Sequence, residues 1–589
     1  MEGITKDIFL VSVGGSGTRV IESLVHMLAI GGKSQKWPDK IHILIMEMDT
    51  GNGNLQRLNA LLRDYHELRK LYCSFSREPR FFIPEIVLYQ WLPMSNNSIQ
   101  DSSMKNMVSG NDDAEILSKL LYTQDEMEMK IDMGFKGRPS VGVAYFRQAA
   151  ASDRQLDAFL DAAKDCDRIM VVSSCHGGTG ATGIPVLEKL IHRKKASIKL
   201  GLLLMLPTFC VPKDPENKAT GIDSDSFADK VKTVMSYYAS EHILCESEGK
   251  GYCWTYLLGY HEPVMFEKYS EGKQSQTNPV TLFDWFACAA IKQFYSGEVD
   301  PNNSLFGMRP GIYICYIDED EWGFNRFSYT FPSLARDITI MLQSVIIFKD
   351  HILPALQGLC NINSDEPQKL GTQLGKSPVL KEFFPSENAE INRTDIQAVY
   401  TLFDQYASRY IIWLYEIMSH IPVDFPDSES NRIRLAFHGI EKVRRRDLKK
   451  SFKNIRPEQA QSLIAQMFIN APILYRAQCS LENGQRIERD RGTEDAFLRA
   501  VLNSIENMGE KYSVTHRLDT ITQERGTPSI SAGAVLGCLW ETYLEREFAI
   551  QSDASSDHMS IAGQSTAELI FSLLETVEQF HGRGIGKEQ

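Results

Sequence analysis

Short apolar runs alternate with amphipathic stretches through the first half of the chain. Ile8 to Val13, Ile41 to Met48, Arg168 to Ser174, Lys199 to Leu206 and Trp254 to Tyr260 are brief, apolar and bounded by glycine or polar residues, which predicts buried strands. Between them Val20, Ile21, Leu24, Val25 and Leu28 recur at helical spacing, as do Leu156, Phe159, Leu160 and Ala163. The second of these helices opens with a capping-box pattern, Ser152 to Gln155. Strands alternating with helices predict an α/β fold with a parallel sheet covered on both faces.

Residues 65–136 interrupt this rhythm with FSREPRFFIPEIVLYQWLP and a short helix near Ile116 to Leu121, and are expected to be an insertion. From about residue 370 the pattern turns to long helices, among them DIQAVYTLFDQYASRYIIWLYEIM and STAELIFSLLETVEQF. The latter carries a capping box, Ser565 to Glu568, and a glycine stop at Gly582. No repeat period is evident, which argues against a solenoid.

At 589 residues and 43% hydrophobic, the chain can bury the cores of several domains. Its net charge of -13 argues against binding nucleic acid over the whole surface. Eleven cysteines without CxxC pairs suit a reducing compartment. The N-terminus enters DIFLVSV without a secretory pattern, and the longest apolar run, LGLLLMLPTF, is too short to span a bilayer. The expected location is the cytoplasm.

Two strand-to-helix turns carry the candidate chemistry. In VSVGGSGTRVIESLVHML, Val11 to Leu28, the turn is Gly14, Gly15, Ser16, Gly17 and Thr18. In VVSSCHGGTGATGIPVLEKL, Val171 to Leu190, four glycines fall within the seven residues Gly177 to Gly183, and Pro185 is expected near the first helical turn. Glycine lets backbone N–H groups approach a phosphate, and a helix N-terminus adds partial positive charge. A single such turn can serve packing alone; two at the carboxyl ends of strands in one sheet point to a common crevice.

Spacing excludes a P-loop, because GGKS at Gly31 to Ser34 has Met27 where the leading glycine belongs, and GKS at Gly375 to Ser377 has Leu370. A dinucleotide fingerprint is incomplete: Val20 follows Gly15 and Gly17 in place of the third glycine, and Glu47 and Asp49 lie further along than the ribose-binding acid. An NAD-dependent oxidoreductase is therefore the least favoured alternative.

CHGGTGATGIP resembles the GGGTG(T/S)G loop of the tubulin/FtsZ superfamily: Gly177, Gly178, Thr179 and Gly180 match, His176 stands at the first glycine, and Ala181 and Thr182 depart. VGGSGTR resembles the first glycine loop, with Arg19 near where an Asn or Gln is usual. MEMDT places Asp49 on the acidic position of the loop after the second strand, and GRPSVG, Gly137 to Gly142, resembles the third loop. GLCNINSDE, Gly358 to Glu366, resembles GxxNxDxxE, with Gly358, Asn361 and Glu366 matching and Asn363 replacing the aspartate. A long apolar helix, about Ser333 to Leu353, precedes it as a core helix would.

The resemblance covers roughly residues 1–370 and identifies the chain as similar to bacterial tubulin-like proteins. It implies a tubulin/FtsZ-like, Rossmann-like parallel-sheet GTPase domain (1–330), a core helix and catalytic-type loop (331–369), and a mainly helical C-terminal domain (370–589). It further implies GTP or GDP with Mg2+, held by Gly14 to Thr18, Asp49, Gly137, Gly142 and Gly177 to Ala181. Head-to-tail assembly into a homo-oligomer or filament would let one subunit's loop complete the next subunit's site. Glu366 is the expected catalytic acid, with Asp365 in reserve; Asn363 can orient a water but not deprotonate it. Tyr329 and Phe331, or Phe286 on the alternative core helix TLFDWFACAAIKQF, are the candidates to stack on the base, and guanine comes from the resemblance alone. The second reading is a nucleotide-binding scaffold with little turnover that recruits another protein through its helical domain.

Two charged segments stand apart. EKVRRRDLKKSFKNIR, Glu441 to Arg456, carries eight basic residues against two acids, read first as a solvated helix face and second as a docking patch. YIDEDEW, Tyr316 to Trp322, is read as an exposed turn rather than a metal site.

Overall fold

The computed structural model describes residues 7–30, 37–75, 80–92, 103–131, 134–135, 138–149, 154–211, 227–244, 251–259, 264–266, 272, 276–296, 311–316, 331–361, 393–419 and 561–585. In chain order the first elements are β1 (Ile8–Val13), α1 (Gly14–Leu28), β2 (Lys40–Met46), α2 (Gly53–Phe75) and β3 (Glu85–Trp91). Helices α3 (Met104–Val108), α4 (Asp112–Leu121), α5 (Gln124–Glu128), α6 (Pro139–Ala149) and α7 (Arg154–Ala162) lead to β4 (Arg168–Ser174), α8 (Gly178–Lys194) and β5 (Lys199–Met205). Next come β6 (Phe209–Cys210), α9 (Phe227–Ser240), β7 (Trp254–Gly259), β8 (Val264–Met265), α10 (Leu282–Ser296) and β9 (Gly311–Tyr316). The described chain closes with α11 (Pro332–Ile347), a π-helical turn at Phe348–Ile352, α12 (Leu353–Cys360), α13 (Arg393–Ser419) and α14 (Ile561–Ile585).

Seven parallel strands form one sheet in the order β3-β2-β1-β4-β5-β7-β9. Alternate residues of each strand feed opposite cores, as the period of two demands. Ile8 and Leu10, Ile41 and Ile43, and Met170 and Val172 face one side with α1, α2, α10, α11, α13 and α14. Phe9 and Val11, Leu44 and Met46, and Ile169 and Val171 face the other, with α6 to α9. The α/β class and the five apolar strands thus stand as expected.

Several details differ from expectation. Glu85–Trp91, within the segment set apart as an insertion, is the parallel edge strand of the main sheet, and α2 runs continuously through residue 65. Strand β3 has a strand-forming composition in Ile86, Val87, Leu88, Tyr89 and Trp91, and its mostly half-buried residues and the preceding Pro84 fit an edge position. Strand β2 stops at Met46 because Glu47 folds its carboxylate back onto the Met48 and Asp49 N–H groups (2.8 and 3.3 Å). Helix α14 begins a turn before Ser565 and runs past Gly582, its apolar face held by packing on α13, α11 and α2.

Helix α13 is tied to the sheet domain by buried polar contacts. The Trp413 indole donates to Ser23 Oγ (2.9 Å), and Arg57 bridges Glu22 and Glu416 (2.8 and 2.7 Å). Among the described residues no helix is long and apolar enough to cross a membrane. The described cysteines are all free thiols.

Candidate functional site

Strands β1 and β4 are neighbours, but the chain leaves β1 toward β2 and leaves β4 toward β5. Their carboxyl ends therefore flank a topological switch point, the place where an open α/β sheet leaves a crevice. A solvent-open cleft of about 860 Å3 lies there. Its floor is made by Gly14, Gly15 and Ser16 from the first turn and Gly177 to Gly180 from the second.

Both turns open directly into long helices that leave their first N–H groups unclaimed by side chains. Neither Val13 before α1 nor Gly177 before α8 supplies a side-chain cap, and neither first turn contains an acid. Uncapped N–H groups and the partial positive charge of two helix ends converge on the cleft, which favours an anion.

The glycines divide by what a side chain would meet. Gly14 has φ +71°, a left-handed conformation that suits glycine. At Gly15 a Cβ would find only Asn52 Nδ2 at 4.0 Å, so this position stays open for a ligand. At Gly17 a Cβ would lie 2.7 Å from Ser12 Oγ and from the Val172 carbonyl, and at Gly180 it would lie 2.6 Å from Ser173 Oγ. These two, with Gly183 and Gly142, let helices press onto strands or onto each other. Gly142 sits against Thr182, at 2.6 Å from its Oγ1 for a hypothetical Cβ, and is a packing glycine rather than part of a cradle. Thr18 is also inward, its hydroxyl donating to the Gly14 carbonyl (3.2 Å).

Helix α8 begins at Gly178, so Pro185 lies well inside it rather than in its first turn. Proline cannot donate to the carbonyl four residues back, Ala181, and the Tyr238 hydroxyl donates there instead (2.5 Å). Ala181, 2% exposed, therefore belongs to the helix's internal repair and is absent from the cleft wall.

Beyond the glycine turns, the wall is polar on one side and aromatic on another. Asp49 lies in it, accepting from the Gly51 N–H (3.0 Å). Glu47, 4% exposed, also lines it; burial pushes its carboxyl up to about 7, and Oε2 has no hydrogen-bond partner among the described residues. Asn52 donates to Gln276 Oε1 (2.7 Å), and Asn54 exchanges two hydrogen bonds with the Asn278 backbone (2.7 and 2.8 Å), so residues 52–54 fix the 276–278 segment in the cleft wall. His176 lines the aromatic side between Phe209 and Phe227 (centroids 5.2 and 4.8 Å). Burial, with Arg19 and Lys230 nearby, lowers its pKa to about 3, so the ring is neutral.

The structure thus gathers Gly14, Gly15, Ser16, Asp49 and Gly177 to Gly180 around one cleft, and turns Gly17, Thr18, Gly142 and Ala181 inward. Gly137, Tyr329, the loop residues Asn363, Asp365 and Glu366, the segment Glu441 to Arg456 and most of YIDEDEW lie outside the described residues. Phe331 and Phe286 pack on each other in the core (6.1 Å) and do not line the cleft. Its aromatic residues are Phe135, Phe209 and Phe227 instead. Asn52, Phe135, Gln276 and Asn278 stand on connecting segments, Phe209 on a two-residue strand and Phe227 at the first residue of a helix, positions that carry no periodicity for the sequence to show; the clustering of Asn and Gln was the one hint. Among the described residues no group of three or more His, Cys, Asp or Glu side chains could hold a metal ion.

The site and sheet define an α/β protein with an anion-favouring cleft at the switch point of a parallel sheet. Compared with family models, with curated proteins and with solved structures, the chain gave no match.

Proposed function

We propose that the chain binds a nucleotide in this cleft, as a tubulin/FtsZ-like GTP-binding protein. The observation that carries the reading is the meeting of two glycine turns and two uncapped helix N-termini at one switch point. Their N–H groups suit the phosphates, while the aromatic side suits a base. A divalent cation would be held chiefly by the phosphates themselves, since among the described residues no cluster of protein ligands stands beside them.

Hydrolysis, on this reading, follows head-to-tail assembly, with Glu366 of one subunit activating water at the next subunit's γ-phosphate. The second reading, a scaffold with little turnover, is favoured by Asn363 at the aspartate position. The deciding experiment is mass spectrometry of the nucleotide released from purified protein, followed by GTP turnover over a dilution series. GTP or GDP released, with turnover per subunit rising with concentration, is expected. Nucleotide binding without turnover at any concentration would leave the scaffold; NAD as the retained molecule would sink both.

A further inference from the structure

Arg19 is 1% exposed, yet its Nε and Nη2 have no hydrogen-bond partner among the described residues. Nη1 alone is engaged, donating to the Pro279 carbonyl (3.4 Å) beside the cleft residue Asn278. A buried guanidinium with vacant donors is costly; the buried carboxylate of Asp284 lies within reach of its charge but takes no hydrogen bond from Nε or Nη2, so this edge stays open to an acceptor that arrives from elsewhere. Nε–H and the adjacent N–H of Nη2 lie on the same side of the planar group and point in parallel, which matches two adjacent acceptors.

The surroundings say which acceptors. The guanidinium carbon lies 5.0 Å from the Phe209 centroid and 6.0 Å from that of Phe266, and these two rings stack at 4.5 Å and 9°. Phe209 is also cleft wall, so Arg19 stands one side chain behind the aromatic side. A hydrated phosphate or carboxylate would gain nothing from these rings, whereas a flat heterocycle taking the place of Phe209 would stack on Phe266.

We propose that Arg19 selects the base, its Nε–Nη2 edge taking the adjacent O6 and N7 acceptors of a 6-oxopurine once Phe209 turns aside. This rests on the nucleotide-binding reading and adds the residue that discriminates among bases. Adenine offers an amine where Arg19 needs an acceptor and is rejected.

Competition binding to the full chain tests this with GTP, ITP, 7-deaza-GTP, ATP and inorganic pyrophosphate. ITP keeps O6 and N7 and should bind comparably to GTP; ATP and 7-deaza-GTP should bind roughly 10- to 100-fold more weakly. Arg19→Met should bind GTP and ATP alike, and Arg19→Lys, which keeps the charge but loses the fork, should do nearly the same. Retained ATP binding and an unchanged melting temperature establish that the variants fold. Weak ITP with undiminished 7-deaza-GTP would show that another base edge is read and overturn the role. Pyrophosphate binding as tightly as GTP would also overturn it while leaving the phosphate cradle standing, and failure of every phosphate compound would remove the nucleotide reading itself.

Discussion

Gly15 and Gly17, two residues apart on the same helical turn, have opposite jobs. A Cβ at Gly17 meets Ser12 and the Val172 carbonyl at 2.7 Å, and one at Gly15 meets almost nothing. Gly17→Ala should therefore cost about 1–3 kcal/mol in denaturant unfolding through overpacking. Gly15→Val should leave stability within about 0.5 kcal/mol yet lower nucleotide affinity roughly tenfold or more, because it fills the approach to the backbone donors. The sequence showed that glycine was needed here; which glycine serves a ligand and which serves packing depends on what lies across the gap. Glu47 supplies a pH signal. Its folded pKa is raised from 4.5 to about 7 by burial, so its neutral form is the one the fold favours. The stability it contributes is present below about pH 4.5 and is lost as pH rises through about 7, on the order of 3 kcal/mol in all. Melting followed from about pH 4.5 to 8 should show this decline in the wild type and a smaller one in Glu47→Gln, where buried Glu22, also raised to about 7, still contributes.

Helix α13 reaches the cleft indirectly. Glu416 accepts from Arg57 and from the Val280 N–H (3.1 Å), just beyond the cleft-wall segment 276–278, while Arg57 also holds Glu22 on α1. Glu22 itself is raised to about 7, by burial first and by the neighbouring Glu416 in part, against the pull of Arg57. Arg57→Met would leave two acids buried without their shared cation, and should lower unfolding stability by roughly 3–5 kcal/mol; a chemical denaturation curve is the check. The helix was legible from its apolar spacing. Its docking partners were not, because Arg57 and Glu416 are far apart in the chain and each reads as an ordinary surface charge.

At the scale of the molecule, α13 and α14 share one apolar core with the sheet. Phe403, Tyr406, Tyr410 and Trp413 are each no more than 1% exposed, packed with residues of α1, α2 and α11. The two described helices beyond residue 370 therefore pack into the core of the sheet domain, and a chain ending at residue 392 should expose this face. Aggregation or strong binding of a hydrophobic dye is the expected result; a monomeric, cooperatively melting fragment would contradict it. The α/β class, five strands and the two glycine turns were already legible along the chain, because local periodicity and backbone freedom are written in neighbouring residues. Folding in three dimensions is what makes β3 the sheet's edge, packs Gly17 and Gly142 while leaving Gly15 open, and sets Arg19 behind Phe209 with an unfilled edge. Those outcomes depend on atoms brought together from distant parts of the chain, and no spacing within either part records the distance between them.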